Sequence, residues 1–217
     1  MTGSSTQQGS LFVICAPSGA GKTSLVRALV SLLPNLHVSV SHTTRPSRPG
    51  ERDGRDYYFV DHTEFQRMID ADDLLEHALV FDHHYGTSRK WVDGALRTGD
   101  AILEIDWQGA RQIRAAFPRC VSIQIFPPSL STLEERLRRR GQDAETTIAR
   151  RMAEAVEEMA DYREFDYLII NDDFETALSQ LQAVVLAERA RVKRMRDEHG
   201  ALISHLLGAV QGDRAGS

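Results

Sequence analysis

The chain has 217 residues and a mass of 24.3 kDa, enough for one substantial core and too little for two independent domains. Hydrophobic residues at 41% and charged residues at 26% describe an ordinary globular protein, and a net charge of -5 gives no electrostatic case for nucleic acid. Cys15 and Cys120 sit in apolar runs with no CxxC and no metal-ligand spacing, which excludes a disulfide or zinc framework.

The opening MTGSSTQQGS lacks a basic start and an apolar stretch, and nowhere do about eighteen apolar residues run together. A cytoplasmic protein with no membrane partner is expected. Residues 1–9 and 209–217 read as polar, small-residue tails that are expected to be disordered.

In chain order, Leu11 to Ala16 is a short continuous apolar run without helical alternation, as in a strand buried on both faces of a parallel sheet. A helix follows at once: Leu25, Val26, Leu29, Leu32 and Leu33 trace one apolar face, and Pro34 stops it. Between strand and helix lies APSGAGKT, which matches a phosphate-binding loop except that Ala16 holds the place of the first glycine. Such a loop curls backbone N–H groups around a β-phosphate at a helix mouth, with Pro17, Ser18, Gly19, Ala20 and Gly21 keeping bulk away. Lys22 would then reach the β- and γ-phosphates and the Thr23 hydroxyl would ligate Mg²⁺. Ala16 is tolerable unless its φ is positive, because Pro17 pushes it toward an extended conformation that alanine adopts freely. Lys22, Lys90 and Lys193 are the only lysines, so one of three falls in this loop.

Further buried-strand candidates are 101–106, 121–126 and 167–170, each followed by a stretch that suits a helix, which predicts a βα-repeating α/β core with a parallel sheet. Asp61 with Glu64 and Ser131 with Glu134 have capping-box spacing, and Asp172 or Asp173 is placed to cap an amphipathic stretch reaching about Arg196. Two regions break the alternation and read as insertions: the Arg-, Pro- and Gly-rich stretch from about Ser41 to Arg97, and the arginine cluster RLRRRGQDAETTIARRM.

Taken alone, Arg45 and Arg48 read as solvated loop arginines ahead of the other reading, a phosphate fork stiffened by Pro46. Glu76, a charge interrupting an apolar run, is either an exposed position on a half-buried strand or a carboxylate that takes the two donors of a guanine edge. Asp106 ends an apolar strand, and carboxylates at strand C-termini of parallel sheets point into the ligand crevice. Glu104, two residues earlier, shares its facing.

The phosphate loop, VSHTTRPSRPGERDGRDYYFV, LLEHALVFDHHYGT, LEIDWQGA, RGQD and YLIINDDF together, in this order and spacing, resemble the guanylate kinase family over about residues 10–205. The resemblance implies a P-loop NTPase-type parallel sheet flanked by helices, in a single domain over 10–208. Its core would comprise about 10–40, 98–130 and 162–208, with a GMP-binding insertion at 41–97 and a helical lid at 131–161. It implies phosphorylation of GMP and dGMP by ATP with Mg²⁺, and leaves a homo-oligomer open. Arg45, Arg48, Tyr57 and Tyr85 are implied to hold the GMP phosphate, and Glu76, Ser41 and Thr87 to read guanine. Asp106 would lie between the nucleotides, Arg136, Arg140 and Arg151 would stabilise the transferring phosphoryl group, and Asn171 would lie near adenine. Arg138, Arg139 and Arg150 are expected to form a solvated basic face. Glu104 departs from the family's usual aspartate, so a close role for it is not expected.

Two other readings compete. A related kinase of another acceptor, such as ribose 1,5-bisphosphate, would not need Ser41, Glu76 and Thr87 together. A non-catalytic guanylate-kinase-like binding module would not need Lys22 and Thr23 intact.

Overall fold

The computed structural model describes residues 9–139 and 145–214. The LFVIC run forms β1 (Leu11–Cys15), the central strand of a five-stranded parallel sheet. On one side of it lie β7 (Asp100–Glu104) and then β2 (Leu36–Val38); on the other, β8 (Val121–Phe126) and then β9 (Tyr167–Ile170). Side chains alternate across β1 as strand geometry requires. Phe12 and Ile14 pack with α1 (Lys22–Leu32) and α7 (Phe174–Arg189). Leu11, Val13 and Cys15 pack with α3 (Arg89–Thr98) and α4 (Trp107–Ala116) on the opposite face. Both faces are covered, which is why these strands read as unbroken apolar runs. Each fully buried Leu, Ile or Phe contributes about 1.5–3 kcal/mol.

A second sheet is built from β3 (His42–Thr43), β4 (Tyr58–Phe59), β5 (Leu74–Val80) and β6 (His83–Ser88), in the order β4-β3-β6-β5. The last two form an antiparallel hairpin. Phe65 and Met68 of α2 (His62–Asp70) close over it against Leu74. Although α3 lies within the 41–97 stretch, its Val92, Ala95 and Leu96 are buried on the main sheet, so the second sheet ends at Ser88. A third unit pairs α5 (Leu130–Arg139) with α6 (Glu145–Ala160) around Leu133, Leu137, Ile148 and Ala155.

Asp61 caps α2 through Glu64 N at 2.8 Å, and Asp173 caps α7 through Thr176 N at 2.9 Å. Ser131 does not cap α5. The helix starts earlier, and the Ser129 hydroxyl accepts from Thr132 N at 3.0 Å. The C-terminal stretch breaks after Arg189, and α8 (Val192–Arg214) follows, kinked at His199. The corner is fixed from below: Arg189 and Arg194, one on each helix, both pair with the fully buried Asp100 carboxylate, which also accepts from Ser10 N at 2.7 Å. Residues 209–214, expected in a tail, continue α8, because extending a helix already nucleated costs little. The expected tails at 1–8 and 215–217 lie outside the described residues. Among the described residues no helix is long and apolar enough to cross a membrane.

Candidate active site

The loop 16–21 leaves the C-terminal end of β1 and delivers Lys22 and Thr23 into the first turn of α1. Positive φ falls at Gly19 (99°) and Gly21 (95°), and not at Ala16, whose methyl packs against the core instead. The alanine therefore sits where no left-handed backbone is required. Gly21 is needed twice over: beyond its φ, a Cβ there would collide with Asn171 Nδ2. Asn171, at the end of β9 and 4% exposed, donates to Ala20 O at 2.7 Å. One of its two amide N–H donors thus holds the loop. A cavity of about 430 Å³ opens beside the loop, lined by Gly19, Gly21, Ser24, Arg136, Arg139 and Asn171 among others. Arg136 reaches Asn171 O at 3.4 Å.

At the other side of α1's mouth stands Glu104. Its Oε2 accepts from the Thr23 hydroxyl at 3.0 Å and lies 3.8 Å from Lys22 Nζ. Both loop residues that would serve nucleotide and metal are thus held by one carboxylate. Thr23, a hard-oxygen donor beside a second oxygen ligand, fits Mg²⁺ in kind.

Across the crevice, Glu76 on β5 is 3% exposed and accepts from the Thr87 hydroxyl on β6 at 2.7 Å. The β5–β6 register sets these residues opposite one another. Burial is the main reason the Glu76 carboxyl is pushed up to about 7, with Asp106 raising it further and the Thr87 bond working against both. The other Glu76 oxygen points at Gly109, where any Cβ would collide with it. Ser41, between β2 and β3, is nearly buried, and its carbonyl accepts from Tyr58 N at 2.9 Å.

Arg45 is 8% exposed, so it is no solvated loop arginine. Its guanidinium forks onto Glu51 at 2.8 and 3.0 Å, donates to Pro46 O at 2.8 Å, and stacks 5.2 Å from the Tyr57 ring. Tyr57 meets Tyr85 edge-on at 5.8 Å. Arg45, Tyr57 and Tyr85 therefore form one cluster. Arg48 is exposed, with its backbone N–H on Glu51 at 2.7 Å. The Arg45 bond holds the Glu51 carboxyl below the ordinary carboxylate value.

Asp106 lies between the two regions. It caps α4 through Gly109 N at 2.9 Å and accepts from Gln108 Nε2 at 3.0 Å. Burial raises its pKa against those bonds. Gln108 also donates to Leu79 O at 3.3 Å, tying Asp106 to β5. Glu158 on α6 is pushed up to about 7 by burial first and then by Asp106.

The family model described as guanylate kinase matches residues 8–188. The chain belongs to the guanylate kinase family. It is 59% identical over 202 residues to the guanylate kinase of Methylococcus capsulatus, covering 93% of this chain and 99% of that one. It is 56% identical over 203 residues to the guanylate kinase of Escherichia coli K12, covering 92% and 98%. A crystal structure of guanylate kinase from Anaplasma phagocytophilum superposes with a TM-score of 0.73 at 31% identity, covering 88% of this chain and 93% of that one.

Against the family pattern, Glu104 is the departure whose outcome differs from expectation: the longer side chain reaches both Lys22 and Thr23. Arg138, Arg139 and Arg150 are all exposed, as a solvated face requires, and two of them carry surface ion pairs. Arg138 pairs with Glu134 and Glu145, Arg150 pairs with Glu154 and with Asp82 of the β5–β6 turn, and Arg139 lines the cavity. Arg151 lies over the Phe81 ring at 5.4 Å. Arg140 falls outside the described residues. Sequence reasoning missed Gly109, Glu51 and Glu158. A glycine in a helix's first turn is the signal that could have found Gly109; Glu51 and Glu158 carry none.

Proposed function

We propose that the protein transfers the γ-phosphoryl group of ATP to GMP, giving ADP and GDP. The observation that carries this reading is the buried Glu76–Thr87 pair, held open by Gly109, facing a phosphate loop across Asp106. Guanine offers N1–H and N2–H₂ on one edge; Glu76 accepts both when ionised, which releases the Thr87 hydroxyl to serve guanine's acceptors together with Ser41. Adenine lacks that donor pair and would leave the buried carboxylate short of it, which is how a polar site rejects by large factors. Ribose 1,5-bisphosphate has no such paired N–H edge either.

Residues 41–88 form the GMP-binding region in this reading, with Arg45, Arg48, Tyr57 and Tyr85 on the GMP phosphate. The α5–α6 unit is the lid. ATP lies in the loop 16–23 and the adjoining cavity, and Asn171 keeps the loop in shape rather than reading adenine. Mg²⁺ would be held by Thr23 and phosphate oxygens, with Glu104 as an outer partner, and would neutralise charge on the β- and γ-oxygens. A GMP phosphate oxygen is the nucleophile. It forms the new bond to the γ-phosphorus as the bond to the β-bridging oxygen breaks, and ADP leaves. That oxygen is already anionic, so no general base is required and positioning with electrostatics carries the rate. Lys22, Arg136, Arg140 and Arg151 stabilise the spreading charge, and Asp106 orients the acceptor.

The test is ADP release with ATP and Mg²⁺ and GMP, dGMP, AMP, CMP, UMP or ribose 1,5-bisphosphate as acceptor. Turnover confined to the guanine nucleotides is expected. Turnover with the sugar bisphosphate alone, or none in folded ATP-binding protein, overturns the reading.

A further inference from the structure

We propose that Phe81 and Asp82, the turn of the β5–β6 hairpin, are positioning residues that latch α6 across the crevice and aim Arg151. The backbone is the first sign. Phe81 has φ 48° and Asp82 φ 67°, the paired left-handed conformation of a two-residue hairpin turn that normally takes Asn-Gly. Aspartate tolerates this region; a bulky aromatic does not adopt it without strain. Such strain persists where surroundings hold it, and it points to a use for the side chain.

The use is visible in the contacts. Arg150 and Arg151, adjacent on α6, place their guanidinium carbons 5.6 and 5.4 Å from the Phe81 ring centroid. Arg150 Nη1 also donates to Asp82 Oδ2 at 3.1 Å, while its Nε is anchored on Glu154 at 2.9 Å. An exposed ion pair alone would hold little. Two cations sharing one ring, with one of them also tied to the adjacent carboxylate, fix both position and orientation. The hairpin so held carries Glu76, Tyr85 and Thr87, and the helix carries Arg151. Closing the lid and completing the acceptor site thereby become one event. Resting on the kinase reading above, the latch accounts for how Arg151 is brought to bear only when the acceptor region is in place.

Glycine at either turn position fits the positive φ, so Phe81→Gly and Asp82→Gly remove the latch without distorting the hairpin. Three readouts decide the matter: GMP affinity measured without ATP, kcat, and the distance distribution between labels on cysteines introduced at the exposed positions Thr63 and Glu157 in a Cys120→Ser chain. We expect GMP affinity within twofold of wild type, kcat lower by about tenfold and a broadened distance distribution, with Phe81→Tyr restoring kcat because it keeps the ring. Unchanged kcat with unchanged distances overturns the latch. So does a loss of GMP affinity in step with kcat, which would make the turn a structural part of the GMP site. If the wild-type chain transfers nothing to GMP, the kinase reading fails, while the label distances still decide the latch.

Discussion

The Glu76 carboxylate occupies the space that a side chain at position 109 would need. A helix residue and a strand residue are thus committed to one pocket, and the glycine is there for the glutamate. Gly109→Ala should gain about 0.5–1 kcal/mol in helix propensity and still lower kcat/KM for GMP at least tenfold by displacing Glu76, with ATP affinity unchanged. Equal losses for both nucleotides, measured by isothermal titration and steady-state kinetics, would contradict this.

Protonation of Glu76 sets a pH dependence. Its carboxyl is raised to about 7 from 4.5, so the folded chain binds more protons than the unfolded chain between those values. Stability from this group is greatest below about 4.5 and is lost as pH rises toward 7. Glu76→Gln should therefore be more stable than wild type above pH 7, by on the order of 2–4 kcal/mol, in denaturant titrations. In the guanine-reading role proposed for Glu76, GMP binding runs the other way: it would need the ionised form, so wild-type affinity should rise with pH up to about 7, and the Gln variant should lack that component.

Loop anchoring by Asn171 is separable from base recognition. Asn171→Ala removes the 2.7 Å bond to Ala20 O. At about 1–1.5 kcal/mol for such a bond, ATP affinity should weaken roughly 5–10-fold with GMP affinity unaltered. Discrimination between ATP and GTP as donor should not change; a large change would return Asn171 to adenine.

Glu104 engages Lys22 and Thr23 together, so its neutralisation has two opposite effects. Glu104→Gln should bind metal-free ATP more tightly, because Lys22 is released, and should need about tenfold more Mg²⁺ for half-maximal rate. Indifference to Mg²⁺ concentration would limit Glu104 to a structural role.

Beneath the sheet, Asp100 is a fully buried carboxylate shared by Arg189 and Arg194. Removing one member of such a set leaves uncompensated charge, at about 3–5 kcal/mol. Asp100→Ala should lower the melting temperature by roughly 6–20 °C and loosen α8 while leaving both nucleotide affinities intact in the folded protein.

The legible parts of this molecule were the local ones. The strand, loop and helix from Leu11 to Leu32 follow from residues within a few positions of each other, and the harmlessness of Ala16 followed from Pro17 and the φ it imposes. What stayed hidden depends on distant pairs. Nothing near Asn171 announces a bond to Ala20, 151 residues away, nor does the arginine cluster reveal that Arg150 meets Asp82, 68 residues away. Ser131 had the spacing of a cap, but Ser129 reached the free N–H first. The break after Arg189 has no Gly or Pro to mark it, since it is set by Asp100.

The most direct test of guanine reading by Glu76 is kcat/KM for GMP and the dissociation constant for ATP in Glu76→Gln against wild type. The expected result is a loss of about 10²–10⁴ in GMP turnover with ATP affinity within twofold. Unimpaired GMP turnover, or parallel losses for both nucleotides, would contradict it.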